Sequence, residues 1–178
     1  MIVAMRARRM PLLTAILAAI ALAGGHSASA QVEHAMSAQQ KLPITWSVTS
    51  ANTSVAAGAS VRVEITARIE DGWHLYSLTQ QAPPDPTRIA VPEGQMFALG
   101  GKIEAPAPET GFDKAQDAET EYYTESVSFK VPLAAAATTA PGRHVARIKA
   151  TWQACNGSLC IRPQVAALDV PILVSAAK

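Results

Sequence analysis

Two cysteines carry the most reactive chemistry in this sequence of 178 residues, and they are the only two that it contains. Cys155 and Cys160, called the cysteine pair below, are separated by four residues. Two of these, Asn156 and Gly157, are strong turn formers, so the thiols can meet across a tight turn. A disulfide closed over so small a loop is either a structural crosslink or a store of two electrons.

The short loop favours the redox interpretation. In the chain-entropy model, closing about six residues stabilises a fold by roughly 2 kcal/mol at best, and a local hairpin leaves little entropy to remove. The thiolate is the attacking species, and an unassisted thiol with a pKa of about 8.5 is only slightly ionised at neutral pH. Arg162 is a nearby cation that can favour the thiolate. We therefore expect a relay that reacts with a docked partner rather than a general reductant.

The segments around the cysteine pair predict a β-hairpin with one cysteine at each shoulder of its turn. Residues 143–154 alternate before the pair, and residues 165–174 form a second apolar segment after it. Pro171 interrupts that second segment, which suits an edge strand or a bulge. Further strands are predicted at residues 44–50, 61–69, 73–77, 88–91, 96–99 and 123–131.

These strands predict an antiparallel β-sandwich. Turn signals separate them, and after the first thirty residues no segment has a sustained 3.6-residue period. Residues 105–121 form a long irregular stretch in this prediction, and a loop of that length is usually functional or mobile. We expect its acidic residues to form either a solvated loop or a docking surface for a basic partner. They are Glu109, Asp113, Asp117, Glu119 and Glu121.

The N-terminal residues predict export. Three arginines precede an apolar run at residues 12–23, and Ala28-Ser29-Ala30 is a cleavage site for the secretory machinery. We expect a signal peptide over residues 1–30 that follows general secretion rather than twin-arginine export, with a retained anchor as the alternative. Residues 31–42 are expected to be a flexible leader and residues 43–178 one domain. We expect the exported protein to be located in the periplasm, where disulfides persist.

Charge and hydropathy limit the partners. Removing the three signal arginines from 15 basic residues leaves 12, against 14 acidic residues. That near balance gives no reason to expect nucleic acid as a partner. No later stretch approaches twenty apolar residues, so no membrane span is expected in the mature chain. We expect that chain to be a monomer.

Two motifs resemble those of a known family. Residues 152–163, W-Q-A-C-N-G-S-L-C-I-R-P, are similar to the cysteine segment of the N-terminal periplasmic domain of the thiol:disulfide interchange protein DsbD. Residues 71–77, D-G-W-H-L-Y-S, resemble that family's G-W-H-x-Y-S segment. Three further features occur in the same order as in the family. They are the segment P-T-R at residues 86–88, Gly94 and the strand that ends in V-P-L at residues 131–133. The resemblance covers about residues 44–174.

The resemblance implies an all-β, immunoglobulin-like sandwich with the cysteine pair on a protruding hairpin. It implies that electrons arrive from a thioredoxin-like donor fed by a membrane thiol carrier. The domain would then pass the electrons to periplasmic thioredoxin-like proteins, such as disulfide isomerases and cytochrome c maturation thioredoxins. In that scheme Cys160 forms the mixed disulfide with a partner and Cys155 resolves it. Since the sequence contains no membrane carrier and no C-x-x-C module, we expect the donor to be another polypeptide.

The family's domain covers its cysteines with a cap loop that bears an aromatic residue. By the resemblance, this loop falls at residues 113–119. Gln116 lies on or near the aromatic position, and Phe112 is the nearest aromatic substitute. The sequence thus departs from an aromatic lid, although the acidic loop can still cover the site.

Aromatic and histidine residues have two interpretations. Trp73, Tyr76 and Tyr123 either pack as core or cap residues or form a wall of the cysteine site. His74 is expected to be a hydrogen-bonded structural residue rather than a base. Two thiolates with His74 or His144 would suit zinc or copper, but no standard ligand spacing is present. We therefore expect neither a metal nor a cofactor.

The sequence predicts a periplasmic thiol–disulfide oxidoreductase, a relay that reduces disulfides of other proteins. Two alternatives stay open. One is a non-catalytic β-sandwich adaptor whose disulfide only shapes a binding hairpin. The other is a protein that delivers a metal or a cofactor.

Overall fold

The chain folds as β-strands joined by turns. The structure is a computed structural model that describes residues 41–50 and 53–177. Among these residues there is no helix that is long and apolar enough to cross a membrane. The predicted signal peptide and residues 31–40 of the predicted leader lie outside the described residues. In chain order the strands are β1 (Ile44–Val48), β2 (Ser54–Ala56), β3 (Ser60–Ile69), β4 (Trp73–Tyr76), β5 (Arg88–Ala90), β6 (Phe97–Leu99), β7 (Glu109–Asp113), β8 (Ala118–Tyr123), β9 (Ser126–Ala135), β10 (Gly142–Trp152), β11 (Ala154–Asn156) and β12 (Gln164–Ser175).

Two four-stranded sheets form the body of the fold. One has the strand order β1-β3-β9-β6, and the other has the order β2-β12-β10-β5. Neighbouring strands in them are antiparallel, except that β2 and β12 are parallel. In β3 every second residue is buried, namely Val63, Ile65, Ala67 and Ile69, as the alternation predicts. Buried apolar residues of both sheets belong to one core cluster, so the predicted immunoglobulin-like sandwich is confirmed.

A third sheet, with the order β11-β4-β8-β7, carries the cysteine pair at one end of the sandwich. Three of its strands, β4, β8 and β11, are joined by short connections to strands of the two main sheets. The chain passes from β3 to β4 through a turn at Gly72, whose φ of 79° favours glycine. It passes from β8 to β9 through Thr124 and Glu125, and from β10 to β11 through Gln153. The third sheet is therefore anchored in both layers of the core.

The prediction of a long irregular stretch at residues 105–121 is wrong. Strands β7 and β8 form an antiparallel hairpin there, with Asp113 paired to Ala118. The buried positions of this hairpin include Asp113 and Thr120 together with Tyr123. Because two of these buried residues are polar, the hairpin lacks the apolar alternation by which the other strands are recognised.

Strand β12 is continuous through Pro171. The backbone N–H of Leu173 donates to the carbonyl of Thr53 on the side where β2 pairs. Pro171 lies two residues earlier, so its backbone nitrogen points to the same side of the strand. The residues that pair with β2, Leu173 to Ser175, begin only after it. Among the described residues no strand pairs with that side of Pro171, so the proline removes no hydrogen bond from the described sheet.

We predict that reducing the cysteine pair lowers the free energy of unfolding by no more than about 2 kcal/mol, because the bond closes only a small loop. Truncating a fully buried core side chain by Phe129→Ala should cost about 3–5 kcal/mol. Urea unfolding of the oxidised protein, the reduced protein and the variant measures all three values. A loss on reduction as large as that of Phe129→Ala would make the bond a structural crosslink.

Candidate active site at the cysteine pair

The backbone register brings the two cysteines together. They form a disulfide and face each other across the hairpin. The hydrogen bonds on either side run from the N–H of Asn156 to the carbonyl of Leu159, and from the N–H of Ile161 to the carbonyl of Ala154. The cysteines are therefore a non-hydrogen-bonded antiparallel pair, the type whose Cα atoms approach most closely. The two Cα atoms are 4.0 Å apart.

Side-chain hydrogen bonds hold both ends of this hairpin. At the tip, the Asn156 carboxamide oxygen accepts from the backbone N–H of Ser158 at 3.0 Å and of Leu159 at 2.8 Å. At the base, the Gln153 amide donates to the carbonyl of Ile161 at 3.1 Å. The oxygen of the same amide accepts from the backbone N–H of Asp85 at 3.0 Å, which ties the hairpin to the loop between β4 and β5. The predicted cysteine hairpin is present and firmly held.

The two cysteines differ in exposure. Cys155 is completely buried, whereas Cys160 is partly exposed. Leu159, next to Cys160 at the tip, is also exposed. A protein that docks on the hairpin can therefore reach the sulfur of Cys160 before that of Cys155.

A group of three polar side chains lies against the buried side of the disulfide. His74 is directly opposite Cys155 in the pairing of β4 with β11, and Tyr76 follows on the same face of β4. The Asp113 carboxylate accepts from His74 Nε2 at 2.8 Å and from the Tyr76 hydroxyl at 2.5 Å. The Tyr76 hydroxyl is 3.9 Å from the sulfur of Cys160. Imidazole, phenol and carboxylate thus form one network beside the sulfurs.

Hydrogen bonding keeps the buried Asp113 ionised. Burial alone would raise the pKa of Asp113, but hydrogen bonds from Tyr76, His74 and the backbone N–H of Ala115 outweigh it and hold this pKa below its ordinary value. Burial and the adjacent carboxylate raise the pKa of Tyr76 far above its ordinary value. At neutral pH the network therefore contains a carboxylate that accepts and a phenol that donates.

The turn between β7 and β8 covers the disulfide. The side-chain amide of Gln116 donates to the sulfur of Cys160 at 3.0 Å and lies 3.8 Å from the sulfur of Cys155. The backbone of this turn is fixed by Asp113, whose carbonyl accepts from the N–H of Gln116 and whose carboxylate accepts from the N–H of Ala115. The sequence placed Gln116 on the cap loop, and the structure places its amide over the pair.

The other aromatic residues named from the sequence lie in different surroundings. Phe112 is 57% exposed and lines a groove of about 630 Å³ beside the pair, together with Trp73 and Gly157. Tyr123 is buried. Its hydroxyl donates to the carbonyl of Pro106, and its ring packs edge-on against Phe129. Trp73 and Phe112 therefore flank the site, while the contacts of Tyr123 belong to the core.

Two further residues named from the sequence lie outside the network. Arg162 is exposed, and no ion pair or side-chain hydrogen bond of its guanidinium occurs in the described part of the chain. His144 lies near the start of β10, at the opposite end of that strand from the cysteines. Its ring donates to the carbonyl of Ala140 at 2.7 Å. The geometry thus removes His144 as a metal ligand to be combined with the cysteines.

Sequence reasoning missed the role of Asp113. It treated this residue as one of five acids in a solvated loop or a docking surface, but its side chain is only 1% exposed. A residue that is both acidic and buried requires donors from other segments, here from β4. Those donors are close only in the folded chain, so the local sequence contains no signal for them.

We predict that Asp113→Asn destabilises the protein by about 1–3 kcal/mol at neutral pH, because the donors of His74 and Tyr76 lose a charged acceptor. The pKa of Asp113 is lower in the folded than in the unfolded state. Its stabilisation is therefore complete above the unfolded pKa of about 3.9 and is lost as the pH falls through the folded pKa. The difference in the free energy of unfolding between the wild type and the variant should become smaller as the solution is acidified. Urea unfolding at a series of pH values measures this.

The matched control is Asp117→Asn in the same turn. Asp117 is exposed and has a φ of 53°, which asparagine also tolerates. We expect its effect on the free energy of unfolding to stay within about 0.5 kcal/mol. An equal loss in both variants, or a difference at Asp113 that does not depend on pH, would contradict the assignment of a buried, ionised Asp113.

Comparison with known proteins identifies relatives. Two solved structures that resemble this chain are the N-terminal domain of DsbD from Neisseria meningitidis in its reduced form and the N-terminal periplasmic domain of ScsB from Proteus mirabilis. The first is 18% identical with a TM-score of 0.43, and the match covers 64% of this chain and 79% of that one. The second is 15% identical with a TM-score of 0.48, and the match covers 71% of this chain and 44% of that one. No match is found among the curated proteins.

Family membership rests on the sequence. Residues 39–171 match the family model described as "Thiol:disulfide interchange protein DsbD, N-terminal". The matched region includes the cysteine pair, the His74–Tyr76 segment and the β7–β8 hairpin. Since this region is most of the chain, the protein belongs to the family of the N-terminal domain of the thiol:disulfide interchange protein DsbD.

Proposed function

We propose that this protein is a periplasmic thiol–disulfide relay that passes two electrons through the cysteine pair to disulfides of thioredoxin-like proteins. The observation that carries the proposal is the unequal exposure of the two cysteines in a member of a thiol:disulfide interchange family. One sulfur can be reached by a partner, and the other is held behind it. This is the arrangement that attack followed by resolution requires.

The relay is loaded by a dithiol donor. A donor thiolate attacks the sulfur of Cys160, the Cys155–Cys160 bond breaks, and Cys155 leaves as a thiolate. The second donor thiol then attacks the donor's own sulfur in the mixed disulfide and releases Cys160. The donor ends as a disulfide and the relay as a dithiol, with two electrons and two protons transferred. In the periplasm a membrane thiol carrier acting through a thioredoxin-like protein would supply that donor.

Unloading follows the same path in reverse. The Cys160 thiolate attacks an acceptor disulfide and forms a mixed disulfide, while the departing acceptor sulfur takes a proton. Cys155 then attacks Cys160, re-forms the internal bond and releases the reduced acceptor. The buried position of Cys155 next to Cys160 supports its role in this resolving step, because it holds the attacking atom within reach.

The side chains around the pair support these steps. The Gln116 amide, 3.0 Å from the Cys160 sulfur, can donate to a thiolate at that atom. His74 faces Cys155 and shares a hydrogen bond with Asp113, so it can hold or supply the proton that the buried sulfur exchanges. Tyr76 donates to the same carboxylate and keeps it in place. We assign the sulfurs to the chemistry and the other residues to positioning and proton transfer.

We propose the same division of the chain that the sequence predicts. A signal peptide over residues 1–30 would direct export, a leader would follow over residues 31–42, and residues 43–178 would be the working domain. The family match over residues 39–171 supports the placement of the working domain in this division.

We predict that Cys155→Ser traps a mixed disulfide with an oxidised periplasmic thioredoxin-like protein, because Cys160 can attack and nothing resolves the product. Cys160→Ser is the matched variant and should form little adduct, since its remaining thiol is buried. Non-reducing gel electrophoresis and mass spectrometry measure the yields. Equal yields of adduct from the two variants, or a higher yield from Cys160→Ser, would contradict the proposal that Cys160 attacks and Cys155 resolves.

We also predict that the reduction potential of the pair lies above about −300 mV, where a disulfide can be opened by physiological dithiols. Equilibration of the folded protein with glutathione or dithiothreitol buffers measures it. A value below this limit, or a bond that opens only after denaturation, would favour the adaptor alternative with a structural disulfide.

A further inference from the structure

We propose that reduction of the cysteine pair creates a binding site for one zinc ion, with Cys155, Cys160, His74 and Asp113 as its ligands. The inference needs the pair to be reducible, as the proposed function does. It does not need the pair to exchange with a protein partner. The ion would hold the reduced pair in a state that cannot attack a disulfide.

The donor atoms are already close together. The imidazole nitrogen of His74, a carboxylate oxygen of Asp113 and the sulfur of Cys155 all lie within 4.8 Å of one another. Bond lengths to zinc of about 2.0–2.3 Å place ligand atoms roughly 3–4 Å apart, so small side-chain shifts suffice to surround one ion. The sulfur of Cys160 is bonded to that of Cys155 and, once released, becomes the fourth donor.

The donors are placed by the backbone rather than by flexible side chains. His74 and Cys155 are directly opposite in the β4–β11 pairing, and Cys160 is opposite Cys155 on the other side. Asp113 reaches them from the end of β7. Its carboxylate is oriented by the Tyr76 hydroxyl, as carboxylates that bind metals commonly are by a neighbouring donor.

The chemistry of this set selects the ion. Two thiolates and an imidazole suit zinc, whereas calcium and magnesium prefer oxygen ligands. Cys155 is buried close to the carboxylate of Asp113, so a thiolate at Cys155 would be costly without a cation beside it. The ion would take the place of the hydrogen between His74 Nε2 and Asp113, which lie 2.8 Å apart, and the neutral imidazole would then carry its proton on Nδ1.

The oxidation state of the pair would control the site. Two electrons and two protons convert the disulfide to two thiols. Zinc then displaces the two thiol protons, and the ion binds both sulfurs as thiolates. In the oxidised protein the sulfurs are bonded to each other, which leaves only His74 and Asp113 to bind the ion. Zinc affinity should therefore be high only after reduction, and a bound ion should block the attack by Cys160.

The test is a zinc titration in competition with a coloured chelator, with tris(2-carboxyethyl)phosphine as the reductant because it contains no thiol. The reduced protein should bind one zinc ion per chain, and the oxidised protein should bind it at least a hundredfold more weakly. Cys155→Ser should lose this affinity, and His74→Gln and Asp113→Asn should each lose at least tenfold. His144→Gln is the matched control and should bind as the wild type does, since His144 lies away from the pair.

Two results would overturn the inference. One is equal zinc affinity in the oxidised and reduced wild type. The other is unchanged affinity in both His74→Gln and Asp113→Asn. Substitution by cobalt gives a second readout, because thiolate and imidazole ligation in a tetrahedral site has a distinct absorption spectrum. Urea unfolding of each metal-free variant shows whether it is folded, so that a lost fold is not mistaken for a lost ligand.

A parallel exchange assay separates this inference from the proposed function. Exchange with an oxidised thioredoxin-like protein is measured in excess chelator and again with zinc. Normal exchange in chelator, without zinc binding in the titration, would contradict the metal site and support the relay. Zinc binding without any exchange in chelator would contradict the relay and support the metal site. Exchange that continues at full zinc occupancy would contradict the proposed block.

Discussion

The backbone pairing of β4 with β11 is the constraint on which the cysteine site depends. It sets His74 opposite Cys155, and the hairpin then returns Cys160 to the other side of Cys155. Because side chains alternate along a strand, a shift of one residue would send the buried sulfur to the opposite face. The adjacent pair in this register, Leu75 and Ala154, is fully buried, so the core of the fold fixes the positions of the reactive atoms.

A buried negative charge is the second determinant of the site. Taking a carboxylate out of water costs several kcal/mol unless hydrogen bonds replace the solvent, and Asp113 receives three such bonds. Its charge disfavours a second negative charge at the nearby Cys155. The amide of Gln116 is aimed at the other sulfur. The polar surroundings of the two sulfurs are therefore unequal, with a carboxylate near Cys155 and an amide donor at Cys160, the less buried of the two cysteines.

Much of the sandwich could be predicted from the sequence, because strands that bury one face on an apolar core must alternate. Strand β3 and the cysteine hairpin were predicted for that reason. The family was predicted separately, from two short motifs. The β7–β8 hairpin was not, since burial there involves Asp113 and Thr120. Nor could the network around Asp113 be predicted, because its donors come from a strand some forty residues earlier in the chain. Tertiary contacts, rather than local pattern, decide such positions.

The amide at the tip of the β7–β8 turn has a consequence for how the site opens. When Gln116 swings away from the sulfurs, it gives up a hydrogen bond to a weak acceptor and gains hydrogen bonds to water. A phenyl ring leaving the same position would instead expose apolar surface, at about 25 cal/mol for each Å². A polar cover of this kind therefore separates from the disulfide at a lower free-energy cost than a phenyl ring would, so a docking protein displaces it more easily.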